Sequence, residues 1–157
     1  MKYFTLKWWS CEVEDMHAVL DAYRSLPADL RKLVHGVSLH DARLRRLDLS
    51  TESRRLVLEL DGCGYDDQAH SYFDTQFRLT YEGLQSLTSN ADPDAGLPGP
   101  HGYGDLGYDE LEVIPSKLYE HRMSGIELQI RFTEFVLWYE DEKGEPSAAA
   151  DHKTGGG

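Results

Sequence analysis

Cysteine is scarce. Two residues, Cys11 and Cys63, lie far apart in a chain of 157. That excludes a disulfide framework, and with neither cysteine in a Cys-x-x-Cys pair the spacing offers no thiolate zinc site. They read as two reduced thiols, with a single disulfide as the open alternative. Long apolar runs are also missing. No stretch approaches the roughly 20 apolar residues of a membrane span. The opening MKYFTLKWWSCEVEDM lacks the apolar core of a signal peptide and soon turns acidic. The chain therefore reads as soluble and cytoplasmic, with no membrane partner. Basic charge is in deficit, with 16 Lys and Arg against 28 Asp and Glu, a formal net charge of −12. Nucleic-acid backbones are held by clustered cations that release counterions, so this balance argues against such a partner. It suits a basic protein or a cation.

Short catalytic signatures are absent too. No Gly-x-Ser-x-Gly elbow, Walker loop, His-Glu-x-x-His pair or EF-hand loop occurs. Gly99, Gly102, Gly104 and Gly107 invite a phosphate-loop reading, but no Lys-Ser/Thr pair and no helix start follows them. No cofactor is expected, and no catalytic residue is assigned.

What is present is patterning. Apolar residues make up 40% of the chain, enough for a folded core. Phe4, Leu6 and Trp8 alternate as a first strand. Val13, Met16, Leu20 and Tyr23 recur at helical spacing from Glu12 to Arg24. A second, short helix is predicted from Pro27 to His35, stopped by Gly36. A hairpin follows over Val37 to Leu60, turning at Thr51-Glu52-Ser53. Its inward face changes parity near Arg45-Arg46, which predicts a bulge there. Asp61-Gly62-Cys63-Gly64 is expected to break the return strand. Phe73, Thr75, Phe77 and Leu79 alternate with polar residues as a half-buried strand. After a short strand near Leu84–Leu87 comes a glycine- and proline-rich loop from Ser89 to Gly107. Strands are expected around Leu111–Val113, Leu118–Met123, Ile126–Phe132 and Phe135–Tyr139, with a tight turn at Ser124-Gly125. The last strand is apolar on both faces, which implies a central place or cover by a helix.

Helices followed by strands predict an α+β fold: two N-terminal helices packed on one antiparallel sheet of about six to eight strands. Residues 1–140 form the single domain, and 141–157 are expected to be a disordered polar tail.

Three constellations are candidates for function. The acidic groups Asp105, Asp109, Glu110 and Glu112, and Glu140, Asp141 and Glu142, form a solvated face by default, with an electrostatic landing surface for a basic protein as the functional reading. Arg43, Arg45 and Arg46, with Arg54 and Arg55, form the chain's basic cluster, for which cross-strand pairing with acids is the ordinary explanation. His40-Asp41, at the hairpin entrance, is the pointed candidate for metal binding or hydrolysis, with His70 as a further ligand. His35, His101 and His121 are other histidines that the fold could bring to it. Adjacent strand residues face opposite ways, so His40 and Asp41 should diverge, and a structural role at the start of the strand is the default.

The opening MKYFTLKWW, the segment SLHDA before RLRRLDLSTESRRLVLELDG, then RLTYEGL, YDELEV and the ending ELQIRFTEFVLWYE resemble small uncharacterised bacterial α+β proteins. Some of these begin Met-Lys-Tyr-Phe-Thr and carry a Leu-His-Asp segment. The organisation is also similar to that of immunity proteins of bacterial toxin systems. The resemblance covers most of residues 1–140 and brings no catalytic residues with it. It implies a bacterial, cytosolic domain that acts by binding, with a basic, toxin-like protein as partner.

Overall fold

A computed structural model describes residues 21–35, 37–66, 68–89, 106–141 and 144–146. The predicted first strand, most of the first helix, Cys11, His101, Asp105 and the bulk of the glycine-rich loop and tail lie outside those residues. Residues 21–24 are helical, the end of the predicted first helix. The second helix, α1, runs Ala28–His35, and eight strands follow: β1 (Val37–Ser50), β2 (Arg55–Asp66), β3 (Ser71–Glu82), β4 (Ser86–Ser89), β5 (Asp109–Ile114), β6 (Leu118–Met123), β7 (Leu128–Phe132) and β8 (Glu134–Tyr139).

The strands do not form one sheet with helices packed on it. They form two four-stranded antiparallel sheets, ordered β1-β2-β3-β8 and β4-β7-β6-β5. The fold is nearly all-β, which corrects the α+β expectation. The cause lies at two short corners. β3 gives way to β4 at Gly83, and β7 to β8 at Thr133. Thr133 N–H donates to Glu82 O at 3.1 Å, and Gln85 N–H to Arg131 O at 2.8 Å. A paired ribbon thus leaves one sheet and enters the other, a known way for strands to make a corner. Gly83 has φ +62°, and a Cβ there would stand 1.9 Å from Thr133 Oγ1. Only glycine suits that turn.

The two inner faces share one core. Leu56, Leu58 and Leu60 of β2, Phe77, Leu79 and Tyr81 of β3, and Ile130 and Phe132 of β7 are all essentially inaccessible. Tyr81 and Phe132 meet edge to face across the layers, with centroids 5.0 Å apart. Leu26, Leu30 and Leu33, in and just before α1, join the same core. The helix lies against β8 and β1, the two edge strands of the first sheet. Asp29 there accepts the Leu137 backbone N–H at 3.0 Å. The doubly apolar β8 is therefore an edge strand under a helix, which is how an exposed edge avoids pairing with other chains.

The β1 bulge falls where parity predicted it. Leu44 pairs Leu60 and Arg46 pairs Glu59, so Arg45 is the extra residue. The expected break at Asp61–Gly64 does not occur. β2 continues to Asp66, paired with β3 throughout. The glycine serves close approach instead of chain reversal: a Cβ on Gly64 would stand 2.3 Å from the Phe73 ring opposite it. After β8 the chain turns back, with Asp141 N–H donating to Glu145 O at 2.7 Å. No described helix is long and apolar enough to cross a membrane.

Candidate functional site: a groove across the first sheet

The outer face of the first sheet carries polar cross-strand rows. Arg43, Asp61 and Gln76 are successive register partners on β1, β2 and β3, as are Ser38, Cys63 and Asp74. Around them lies an open groove of about 690 Å³. Asp41, Arg43 and Arg45 form its β1 side, Asp61, Gly62 and Cys63 its floor, and Asp74, Thr75 and Gln76 its far side. A smaller compartment of about 280 Å³ shares Asp74, Thr75 and Gln76 and extends to Trp138, Glu140 and Asp141. Together they cross the sheet from β1 to the end of β8.

Among the described residues, five carboxylates line this path, Asp41, Asp61, Asp74, Glu140 and Asp141, against two cations, Arg43 and Arg45. The central carboxylate is already engaged. Arg45 Nε donates to Asp61 Oδ2 at 2.5 Å, and Gln76 Nε2 donates to Asp61 Oδ1 at 3.2 Å. The bulge makes this possible, because it adds Arg45 to β1 without displacing Arg43 from its place beside Asp61. Cys63 Sγ approaches Asp74 Oδ1 at 3.6 Å. Partial burial, then the hydrogen bond to Asp74 and the charge of that carboxylate, push the Cys63 thiol above its ordinary pKa. A raised pKa leaves less of the reactive thiolate at neutral pH. Beside the groove, the Arg78 guanidinium lies over Trp138 at 5.3 Å, so this surface already seats one cation on an aromatic face.

His40 and Asp41 do meet, contrary to the pleat argument. His40 Nδ1 is 2.9 Å from Asp41 Oδ2. The reason is local: Asp41 has φ +62°, inside the irregular stretch between the Ser38 and Arg43 register points. Strand alternation does not hold through such a residue. Asp41 N–H donates to Leu106 O at 2.8 Å, and Leu106 N–H to Ala42 O at 2.7 Å. Residues 106–108 then reach the β6–β7 turn through Gly107 N–H to Ser124 O at 2.9 Å. The irregularity thus receives a strap that ties the two sheets. His70 lies in the β2–β3 turn. No group of three or more His, Cys, Asp or Glu among the described residues could hold a metal ion.

The acidic group on β5 has internal partners. Asp109 Oδ2 is 2.7 Å from His121 Nε2. Arg122 reaches Glu110 at 3.3 Å and Glu112 at 3.0 Å, and also contacts Glu120. Glu120 in turn accepts from Arg131 Nε at 2.5 Å. Partial burial opposes the Arg122 charge, but Glu120, Glu110 and Glu112 outweigh it and hold its pKa above the usual guanidinium range. Arg46 pairs with Asp48 at 3.1 Å, outside the groove. Of the candidates named from sequence, the groove gathers Asp41, Arg43, Arg45, Glu140 and Asp141.

Sequence reading missed Asp61, Asp74 and Trp138 as parts of one surface, and it missed a buried chain through the core. Tyr81 Oη lies 2.8 Å from His121 Nδ1, and His121 Nε2 meets Asp109. Asp109 as acceptor places the ring proton on Nε2, so Nδ1 accepts from the Tyr81 hydroxyl. The order Tyr-His-Asp has the connectivity of a nucleophile, base and orienting acid. Yet Tyr81 and His121 are both fully buried, so no substrate reaches either. The chain joins β3 to β6 and β5 across the two sheets.

No protein-family model matches this chain, and no curated protein or solved structure matches it either.

Proposed function

We propose that the protein is a binding module that takes a basic segment of a protein partner in the groove of the first sheet. One observation carries this reading: among the described residues, the groove's five carboxylates outnumber its two arginines on a face that spans all four strands. The chain's net charge of −12 acts in the same direction at longer range and steers a basic partner toward it. The likeness to toxin-system immunity proteins supplies the class of partner, a basic toxin domain held by charge. In such a complex rim charges set the association rate and its salt dependence.

The test is binding of an oligo-arginine peptide, followed by fluorescence anisotropy at several salt concentrations. The expected result is saturable binding that weakens as salt shortens the Debye length from about 10 Å at 0.1 M to about 3 Å at 1 M. The double substitution Asp74→Asn with Glu140→Gln should weaken it further. Equal affinity in the double variant would remove the groove from the account. A hydrolytic or metal site centred on His40 and Asp41 gains only a two-residue contact from the geometry, and the groove is the better supported reading.

A further inference from the structure

We infer that Arg45 is a built-in occupant of the groove, and that a basic partner binds by displacing it from Asp61. This rests on the reading of the groove as a site for basic segments. Arg45 is the extra residue of the bulge that keeps Leu44 and Leu47 on the inner face of the sheet, and it is thereby turned to the outer face. Without the extra residue, β1 would continue its pairing with β2 past Leu44 with no additional side chain over Asp61. The bulge instead sets a guanidinium 2.5 Å from the carboxylate at the centre of the floor. Both side chains remain partly open to solvent, at 44% and 37% exposure. An ion pair of that exposure contributes little to stability, so its loss is tolerable. A partner guanidinium can take the same oxygen in the same geometry, while Gln76 keeps the second oxygen occupied.

The arrangement has a consequence for specificity. While Arg45 stays on Asp61, the groove's other described carboxylates are Asp74, Glu140 and Asp141 on one side and Asp41 on the other. A single cation meets those carboxylates without disturbing the Arg45–Asp61 pair. A segment with two or more cations can also replace Arg45, so the groove discriminates in favour of clustered basic residues.

The affinity of an oligo-arginine peptide for wild type, Arg45→Ala, Arg45→Gln and Arg46→Ala at about 0.15 M salt tests this, where the Debye length is about 8 Å. Arg46→Ala removes the same charge one residue away, from a pair outside the groove. Arg45→Ala and Arg45→Gln should each bind about 1.5- to 5-fold tighter, the range set by releasing one exposed ion pair. Arg46→Ala should change affinity by clearly less. Equal tightening in all three would mean that overall charge alone is responsible and would overturn the inference. So would unchanged or weaker binding in the Arg45 variants. If wild type and Arg45 variants alike fail to bind, the proposed function itself fails. A direct readout stands beside the affinities. The Arg45 Nε–Hε resonance of the wild type should shift on peptide addition, and a resonance that stays fixed at saturation would overturn displacement.

Discussion

Replacing Tyr81 with Phe isolates the polar link between the two sheets. The ring stays, so packing against Phe132, Phe135 and the imidazole of His121 is kept. What is lost is one hydroxyl, 2.8 Å from His121 Nδ1, with both residues fully buried. A ring nitrogen left without a donor in such a place costs about 1–3 kcal/mol. With a central value near 2 kcal/mol, Tm should fall by roughly 4–8 °C for a chain of this size. Thermal unfolding followed by circular dichroism reads this directly. The background in which it is measured decides the cause. In His121→Leu the Tyr81 hydroxyl itself has lost its partner, so removing it there should be neutral or stabilising. An equal loss in both backgrounds would refute the hydrogen-bond argument and leave only a packing effect. The same hydroxyl controls alkaline stability. Burial first, and then the Asp109 charge, push the Tyr81 pKa well above its ordinary value of 10.0. The folded chain therefore holds a proton that the unfolded chain releases. Its contribution to stability is complete below about pH 10 and is lost as pH rises above that. Tyr81→Phe should flatten this alkaline limb in unfolding midpoints measured from pH 9 upward.

Other predictions concern the corner, the thiol and the ion cluster. Gly83→Ala should destabilise by about 1–3 kcal/mol, because the alanine must adopt positive φ and its Cβ meets Thr133; denaturant midpoints read the change. Cys63, in a Cys11→Ala background, should react slowly with a disulfide reagent at pH 8, and Asp74→Asn should speed the reaction by lowering the thiol pKa. Arg122→Met should cost about 3–5 kcal/mol, since it strips a cation from the buried carboxylates of Glu110 and Glu120.

Much of the backbone was legible in local pattern. The alternation of Phe73 to Leu79 marks β3, and Pro27 marks the start of α1. The parity change at Arg45-Arg46 locates a bulge that the register confirms. These signals are local, and local geometry decides them. The division into two sheets was not legible, because it depends on the pairing of two corners fifty residues apart, Gly83 and Thr133. Gly62 and Gly64 misled for a related reason. Glycine marks positions where a Cβ does not fit, and in β2 the obstacle at Gly64 is the ring of Phe73 on the next strand. His40 and Asp41 were read through strand alternation, which a single left-handed residue cancels. The groove was hidden because its carboxylates come from β1, β2, β3 and the chain after β8, and no sequence window contains them together. His121 looked like a spare ligand among several histidines. Its apolar neighbours on β6, Tyr119 and Met123, are inward-facing, and that parity was the signal for a buried imidazole.

A binding surface for clustered positive charge on the outer face of the first sheet would be occupied by an oligo-arginine peptide. Chemical-shift mapping with an oligo-arginine peptide tests it most directly. Backbone amides of Asp41, Arg45, Asp61, Cys63, Asp74, Gln76 and Glu140 should shift together and saturate, while those of Glu110 and Glu112 on the second sheet should not. Shifts centred on β5 and β6, or scattered over the surface without saturation, would contradict it.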